Sequence, residues 1–89
     1  MSGCWIDAPP LRLRAMLDVL AERARQDQLW PGNTCKHMAA RGEALACLSV
    51  LAEEVGEVAR ALNEGDDANL REELVQVAAV AIAWLEGMP

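Results

Sequence analysis

The sequence contains no phenylalanine and no tyrosine, and three tryptophans are its only Phe, Trp or Tyr residues. Basic residues are also few: eight Lys and Arg stand against fourteen Asp and Glu, which gives a net charge of −6. A nucleic-acid-binding protein needs basic residues to neutralise phosphates. The sequence has no basic stripe of this kind, so neither nucleic acid nor an anionic membrane surface is an expected partner.

Cysteines are scarce, and they do not suggest a metal or disulfide framework. Cys4, Cys35 and Cys47 are odd in number and form no CxxC pair. The N-terminus has no apolar signal segment, and the apolar run from Leu74 to Leu85 is shorter than the roughly 20 residues that span a bilayer. We therefore expect a cytoplasmic protein with no membrane segment.

The 89 residues are enough for one domain, which we assign to residues 1–89. Hydrophobic residues make up 53% of the chain, and most are Ala, Leu and Val. This composition favours packed helices over a sheet. A chain this short buries only a modest fraction of its surface alone, so we expect part of the apolar surface to be covered by a second copy.

Apolar residues at spacings of three and four predict three helices. The first follows Asp7 and the Pro9-Pro10 pair and fades near Gln28, and a loop from Leu29 to Arg41 contains the turn signal Pro31-Gly32-Asn33. Residues 36–40 of that loop are open to a helical interpretation. The apolar stripes of the three helices are Leu13, Leu17, Leu20 and Ala24; Leu48, Leu51, Val55, Val58 and Leu62; and Leu70, Leu74, Val77, Ala81 and Leu85.

The second and third helices are predicted to form an antiparallel hairpin. Gly65 suits the position just past a helix C-terminus, and the next helix has capping candidates in Asp66, Asp67 and Asn69. The expected fold is therefore an all-α helical bundle, built around this hairpin and completed by oligomerisation.

Acidic residues occupy matching positions on the two hairpin helices. At about 100° per residue, Glu54 and Glu57 fan outward from one stripe as Glu73 and Gln76 do from the other. If the two stripes pack together, both pairs border a common cleft, with Glu53 beside Glu57. Crowded carboxylates repel one another, and a divalent cation such as magnesium, with its preference for oxygen ligands and phosphates, removes that repulsion.

Gln76 interrupts a run from Leu74 to Leu85 that is otherwise apolar on all sides. Such a helix is normally surrounded by protein, which favours self-association. A polar group in this setting needs a hydrogen-bond or metal partner.

Simpler interpretations exist for each of these residues. Glu-rich helix surfaces are usually solvated, and His37 is more typical of a surface residue than of a ligand. The cysteines are more typical of small core or surface residues than of nucleophiles, and Trp84 of a core residue. For Trp30, packing over the end of the bundle is favoured over stacking on a nucleobase.

The stretch from residue 51 to residue 85 resembles the MazG-type, all-α nucleoside triphosphate pyrophosphohydrolases. The family pattern is EExxE followed by ExxD, and this sequence has Glu53-Glu54-Val55-Gly56-Glu57 and then Glu73-Leu74-Val75-Gln76. The glycine in the first motif and the apolar segment after the second also agree. The resemblance implies a helical homodimer or homotetramer that uses magnesium, or manganese, to cleave (d)NTPs into nucleoside monophosphate and pyrophosphate.

By position, the resemblance makes Glu54, Glu57, Glu73 and Gln76 metal ligands and gives Glu53 a role with the attacking water or a second metal. Lys36 and Arg60 are candidates for phosphate contact, and Trp30 is a candidate for substrate binding. The chain departs from the pattern at Gln76, where the family has Asp; the amide offers an oxygen but no charge, and Glu72 is a possible substitute. The alternatives are a catalytically weak or inactive helical oligomer that binds nucleotides or a protein partner, and a helical adaptor without ligand.

Overall fold

The computed structural model describes the backbone of residues 2–89 and the side chains of residues 10–89. This part of the chain consists of helices and their connections, with no strand, so the predicted all-α fold is confirmed. The helices are α1 (Ser2–Leu29), α2 (Cys35–Ala40), α3 (Ala44–Glu64) and α4 (Asp67–Gly87).

Two boundaries differ from the sequence prediction. Helix α1 begins at Ser2 rather than after Asp7, because a capping signal does not prevent a helix from extending past it towards the N-terminus. Residues 36–40, which the sequence left open to a helical interpretation, are helical, and their short helix α2 begins one residue earlier, at Cys35. The predicted turn is present: the Asn33 N–H donates to the Trp30 carbonyl at 3.0 Å, and Gly32 has a φ of 72°.

The α3–α4 hairpin forms as predicted, with a connection of two residues. Gly65 ends α3 in the left-handed conformation, with a φ of 68°. Asp66 then caps α4, because its carboxylate accepts a hydrogen bond from the Asn69 N–H at 3.1 Å. A cap of this kind contributes about 1 kcal/mol to the stability of a helix.

Helix α4 is the centre of the bundle, since it packs against α1, α2 and α3. This explains its apolar character without a second copy, because three helices of the same chain surround it. The surrounding core is small: Cys35, Cys47, Val80 and Ala83 form its buried cluster, and Trp84 packs partly buried against it, as predicted. No helix in the described part of the chain has the length and apolarity needed to cross a membrane.

The apolar stripes are packed only in part, which corrects the sequence prediction. Leu51 packs against the core cluster, and Val58, Leu70 and Val77 are partly buried, but other large members are exposed. On α3, Leu48 is 50% exposed, Val55 51% and Leu62 61%, whereas the small residues Cys47 and Ala61 are fully buried. The other two stripes are exposed to a similar extent at Leu13, Leu17, Leu20, Leu74 and Leu85. Small residues let the helices approach closely, so α3 buries Cys47 and Ala61 completely while three of the five residues of its apolar stripe stay exposed.

A buried arginine joins α1 to the end of α4. The Arg23 side chain is 5% exposed, and its Nε and Nη2 donate to the two carboxylate oxygens of Glu86 at 3.1 and 3.0 Å. Its Nη1 donates to Asp27 at 2.6 Å. Bidentate arginine–carboxylate pairs fix orientation as well as distance, so this contact sets the position of α1 on α4.

We predict that Gly87→Ala destabilises the protein. A Cβ atom at this position would overlap the Lys36 carbonyl oxygen and lie 2.8 Å from the Ala39 Cβ. Overpacking of this kind typically costs about 1–3 kcal/mol, and urea denaturation would measure the loss.

Gly56→Ala is the matched control, because a Cβ there meets nothing within 4 Å. Alanine is a better helix former than glycine by about 1 kcal/mol, so this variant should be at least as stable as the wild type. Equal stabilities for the two variants would contradict the close α2–α4 approach.

Candidate functional site

Three of the predicted site residues meet where α3 packs on α4. With the Gln76 amide oriented to satisfy its hydrogen bonds, its Nε2 donates to Glu54 Oε2 at 2.8 Å and to Glu73 Oε2 at 3.3 Å. All three side chains are on partly buried residues. The hydrogen-bond partner that the sequence required for Gln76 is therefore supplied by two carboxylates from the two motifs.

We call Glu54, Glu73 and Gln76 the trio, and within it the surroundings raise the pKa of Glu54. Burial raises the pKa of Glu54, and the negative charges of Glu73, Glu53 and Glu57 raise it further, as does a hydrogen bond with Glu73. A raised pKa means that the folded chain holds a proton that the unfolded chain has already released. The stability of the metal-free protein should therefore fall as pH rises from the ordinary glutamate value of about 4.5 through the raised pKa of Glu54.

The other two glutamates of the first motif lie near this trio but have different surroundings. Glu53 lines a cavity together with Glu54 and Gln76. Glu57 forms an ion pair with Arg60, which lies three residues later on the exposed side of α3. Within residues 10–89, no group of three or more His, Cys, Asp or Glu side chains is arranged to hold a metal ion.

The oxygen atoms that the trio can offer as ligands nevertheless suit a hard cation such as magnesium. Rotation of the Gln76 amide by 180° would place its carbonyl oxygen, instead of its Nε2, against the oxygens of Glu54 and Glu73. Three converging oxygens repel one another unless a proton or a cation lies between them. Magnesium takes oxygen ligands of this kind and retains water in its other positions. Glu57 would complete the set only after leaving Arg60.

A cavity of about 350 Å³ opens beside the trio. Its lining includes the apolar side chains of Met38, Val50 and Val80 together with the carboxylates of Glu53 and Glu54. Trp30 lines this cavity and is 60% exposed. This differs from the favoured expectation that Trp30 packs over the end of the bundle, because the turn after α1 holds its ring at the cavity.

The predicted basic residues lie elsewhere. Neither Lys36 nor Arg60 lines a cavity identified in the described part of the chain. Sequence reasoning missed Glu22 and Arg25, which line the cavity from α1. A Glu and an Arg three residues apart are common on solvated helix surfaces, and no sequence signal distinguished this pair.

Glu72 was considered as a substitute for the missing acid of the second motif. It is exposed and lines a second cavity of about 640 Å³, between α1 and α4, that also borders Gln76. Glu72 does not contribute to the burial or charge that raise the pKa of Glu54. The structure therefore places Glu72 beside the trio rather than within it.

The remaining candidates have structural roles. The Thr34 N–H donates to His37 Nδ1 at 3.3 Å, so His37 helps to cap α2.

Cys35 and Cys47 are free and buried, and the Cys47 thiol donates to the Cys35 carbonyl at 3.5 Å. Burial raises the pKa of the Cys35 thiol to about 11, with a smaller contribution from Cys47. A thiol with this pKa is not ionised near neutral pH and is not a nucleophile. Cys4 lies outside the described side chains.

Comparison with known families identifies the hairpin. Residues 43–84 match the model of the MazG nucleotide pyrophosphohydrolase domain. No curated protein and no solved structure matches the chain significantly. The matched segment covers α3 and most of α4, and it contains both acidic motifs and the trio of Glu54, Glu73 and Gln76. The α3–α4 hairpin, rather than the whole chain, is therefore similar to the MazG nucleotide pyrophosphohydrolase domain.

Proposed function

We propose that the protein is a magnesium-dependent nucleoside triphosphate pyrophosphohydrolase that releases a nucleoside monophosphate, or deoxynucleoside monophosphate, and pyrophosphate. One observation carries the proposal: the Gln76 amide joins Glu54 and Glu73, and Glu54 and Gln76 line a cavity, within the hairpin that matches the MazG domain. The reaction adds water across the α–β phosphoanhydride bond of the substrate.

Four side chains would hold the metal, which is magnesium or, as a substitute, manganese. Glu54 and Glu73 offer carboxylates, Gln76 offers its amide oxygen, and Glu57 joins them when it leaves Arg60. When bound there, the ion would supply positive charge that offsets the negative charge developing on the phosphates as the bond breaks. Glu53 has a different role: from the cavity wall, its carboxylate accepts a proton from the attacking water.

The cavity supplies the nucleoside end of the substrate site. Trp30 lines the cavity and is 60% exposed, and the apolar side chains of Met38, Val50 and Val80 beside it suit a bound base. Stacking between a base and an aromatic side chain contributes about 1–3 kcal/mol and does not depend strongly on which base is bound. We therefore assign base stacking to Trp30. The free thiols Cys35 and Cys47 suit the reducing cytoplasm in which we expect the protein to act.

The second candidate function is a catalytically weak or inactive oligomer that binds nucleotides or a protein partner. The hydrogen bonds of Gln76 favour it, because the amide satisfies Glu54 and Glu73 without a metal. Each contact with an uncharged amide also gives magnesium less electrostatic stabilisation than a carboxylate would. The two candidates differ in one observable, which is the release of pyrophosphate.

We predict that the purified protein releases pyrophosphate from one or more members of a panel of canonical and modified (d)NTPs, and does so only with magnesium or manganese. Glu54→Gln should abolish the release, by at least about 100-fold, since it removes a charged ligand. A coupled pyrophosphate assay, with circular dichroism to confirm folding, measures both effects.

Glu64→Gln is the control for this substitution, because Glu64 is an exposed residue on the same helix and lines neither cavity. This variant should keep full activity. If no nucleotide in the panel releases pyrophosphate at high protein concentration, the enzyme proposal is wrong and the nucleotide-binding alternative takes its place.

We predict that Gln76→Asp binds magnesium about tenfold more tightly, which corresponds to about 1.4 kcal/mol. Without metal, the same variant should be less stable than the wild type, because it replaces a hydrogen-bond donor with a third carboxylate. This loss should grow as pH rises above about 4.5, as the carboxylates ionise. Isothermal titration with magnesium and urea denaturation in chelator test the two effects.

Gln28→Asp makes the same exchange at an exposed position of α1 that lines neither cavity. Its magnesium affinity should equal that of the wild type. An unchanged affinity in Gln76→Asp would show that Gln76 is not a metal ligand.

We also propose that the protein is a homodimer or homotetramer. The α3 stripe of Leu48, Val55 and Leu62 is half or more exposed, although these are among the largest apolar side chains of the helix. An ordered row of exposed apolar side chains indicates a protein contact, and a second copy presents an identical row.

We predict that Leu48→Lys combined with Leu62→Lys converts the oligomer to a monomer, because burial of two added charges is unfavourable. Light scattering measures the change in mass. Ser49→Lys adds one charge at an exposed position outside the stripe and should leave the oligomer intact. A wild-type protein that is a stable monomer would contradict the proposed assembly.

A further inference from the structure

Two cavities share the predicted metal ligand Gln76 as a lining residue. The first, of about 350 Å³, lies between α1, α2, α3 and α4, and the second, of about 640 Å³, lies between α1 and α4. Three side chains line both cavities: Gln76 from α4, and Glu22 and Arg25 from α1. We call the position of these three shared side chains the junction of the two cavities.

The two cavities differ in chemistry. The first contains Trp30 and the apolar side chains of Met38 and Val50, together with the carboxylates of Glu53 and Glu54. Five of the eight residues that line the second are charged, and three of these five are acidic; Arg71 Nη2 donates to Asp18 at 2.8 Å. A nucleotide has an apolar base at one end and a charged phosphate chain at the other. In the proposed orientation the base lies against Trp30 and the apolar side chains of the first cavity, and the phosphates lie beside Arg25 and Gln76.

Arg25 is the only basic residue among the side chains that line the first cavity. Its Nε and Nη2 donate to the two carboxylate oxygens of Glu22 at 2.8 and 2.9 Å. Among the described residues, its third nitrogen, Nη1, makes no hydrogen bond. The hydrogen bonds and charge of Glu22, with a smaller contribution from Glu54, raise the pKa of Arg25, so the guanidinium is charged at every physiological pH.

A positive charge at this junction favours the binding of a negatively charged phosphate chain. The acidic motifs and the net charge of −6 disfavour a polyphosphate, and one magnesium ion neutralises only part of the substrate charge. Arginine binds phosphate through two parallel hydrogen bonds, which fix its position as well as its charge. The other basic candidates, Lys36 and Arg60, line neither cavity.

We propose that Arg25, held in place by Glu22, binds the phosphate chain of the nucleotide at the junction of the two cavities and so positions the scissile bond beside Glu54 and Gln76. This inference rests on the proposed function, and it assigns the phosphate contact to α1, outside the segment that matches the MazG domain.

The test measures binding without turnover. The probes are the four canonical deoxynucleoside triphosphates with an α,β-methylene bridge, the matching nucleosides, and inorganic triphosphate. Each probe is titrated into the protein in the presence of magnesium, and calorimetry measures its affinity.

Arg25→Ala should weaken the binding of the bridged triphosphates and of inorganic triphosphate about tenfold or more, as expected for a charged hydrogen bond. It should leave nucleoside binding unchanged. Arg25→Lys should recover part of the loss, because lysine restores the charge but not the paired donors.

Arg14→Ala is the matched control, since it removes the same charge from an exposed position of α1 that lines neither cavity. Its triphosphate affinity should equal that of the wild type. If wild type binds triphosphates and Arg25→Ala binds them equally well, the role of Arg25 is wrong while the proposed function stands. If Arg25→Ala weakens nucleoside binding to the same extent, Arg25 has a structural role in the cavity instead. If the wild type binds no triphosphate, the proposed function itself fails, and the role of Arg25 fails with it.

Discussion

The close approach of α4 to its neighbours is the constraint on which the rest of the structure depends. Ala61, Ala79 and Ala83 are at most 1% exposed, and no large side chain lies between the helices at these positions. Protein interiors are packed to the density of organic crystals, so small residues bring the helix axes together. The longer side chains of the same faces, Glu54 and Glu73, then meet. The acidic contact is therefore a consequence of alanine packing elsewhere along the interface.

Such a contact is unfavourable unless its charge is offset, and the chain does this with Gln76. Its amide donates to both carboxylates, which lowers the repulsion without any ion. An aspartate at this position would leave the metal-free fold with a third negative charge in a partly buried site. Compared with an aspartate, the Gln76 amide therefore lowers the affinity of the site for the cation and raises the stability of the metal-free fold. The affinity of the site for its metal therefore distinguishes the two candidate functions, because the enzyme needs a bound metal and the weak or inactive oligomer does not.

Local signals predicted the elements of the fold well. Gly65 and Asp66 marked the hairpin connection correctly, because a left-handed residue and a capping carboxylate act over a few residues. The motif positions also placed Glu54, Glu73 and Gln76 together.

The choice of packed face was not predictable in the same way. Hydrophobic periodicity selected Leu48 and Val55 over Cys47 and Ala61, since it weighs the size of side chains and not how closely helices approach. The contacts of Trp30 and Arg25 with the cavity, and of Arg23 with Glu86, join residues from different helices. Such contacts depend on the relative placement of those helices, which no local pattern encodes.

The two-residue connection between α3 and α4 has a consequence for the order of folding. Closing a short connection costs little chain entropy, and structures rich in local contacts form quickly. The hairpin can therefore form early, with both acidic motifs already facing each other. Helix α1 is joined to α4 through Arg23 and Glu86, which are 63 residues apart, so its docking closes a far longer segment of chain. The acidic half of the site is thus encoded locally, whereas the cavity that gives it a ligand is complete only when the two ends of the chain meet.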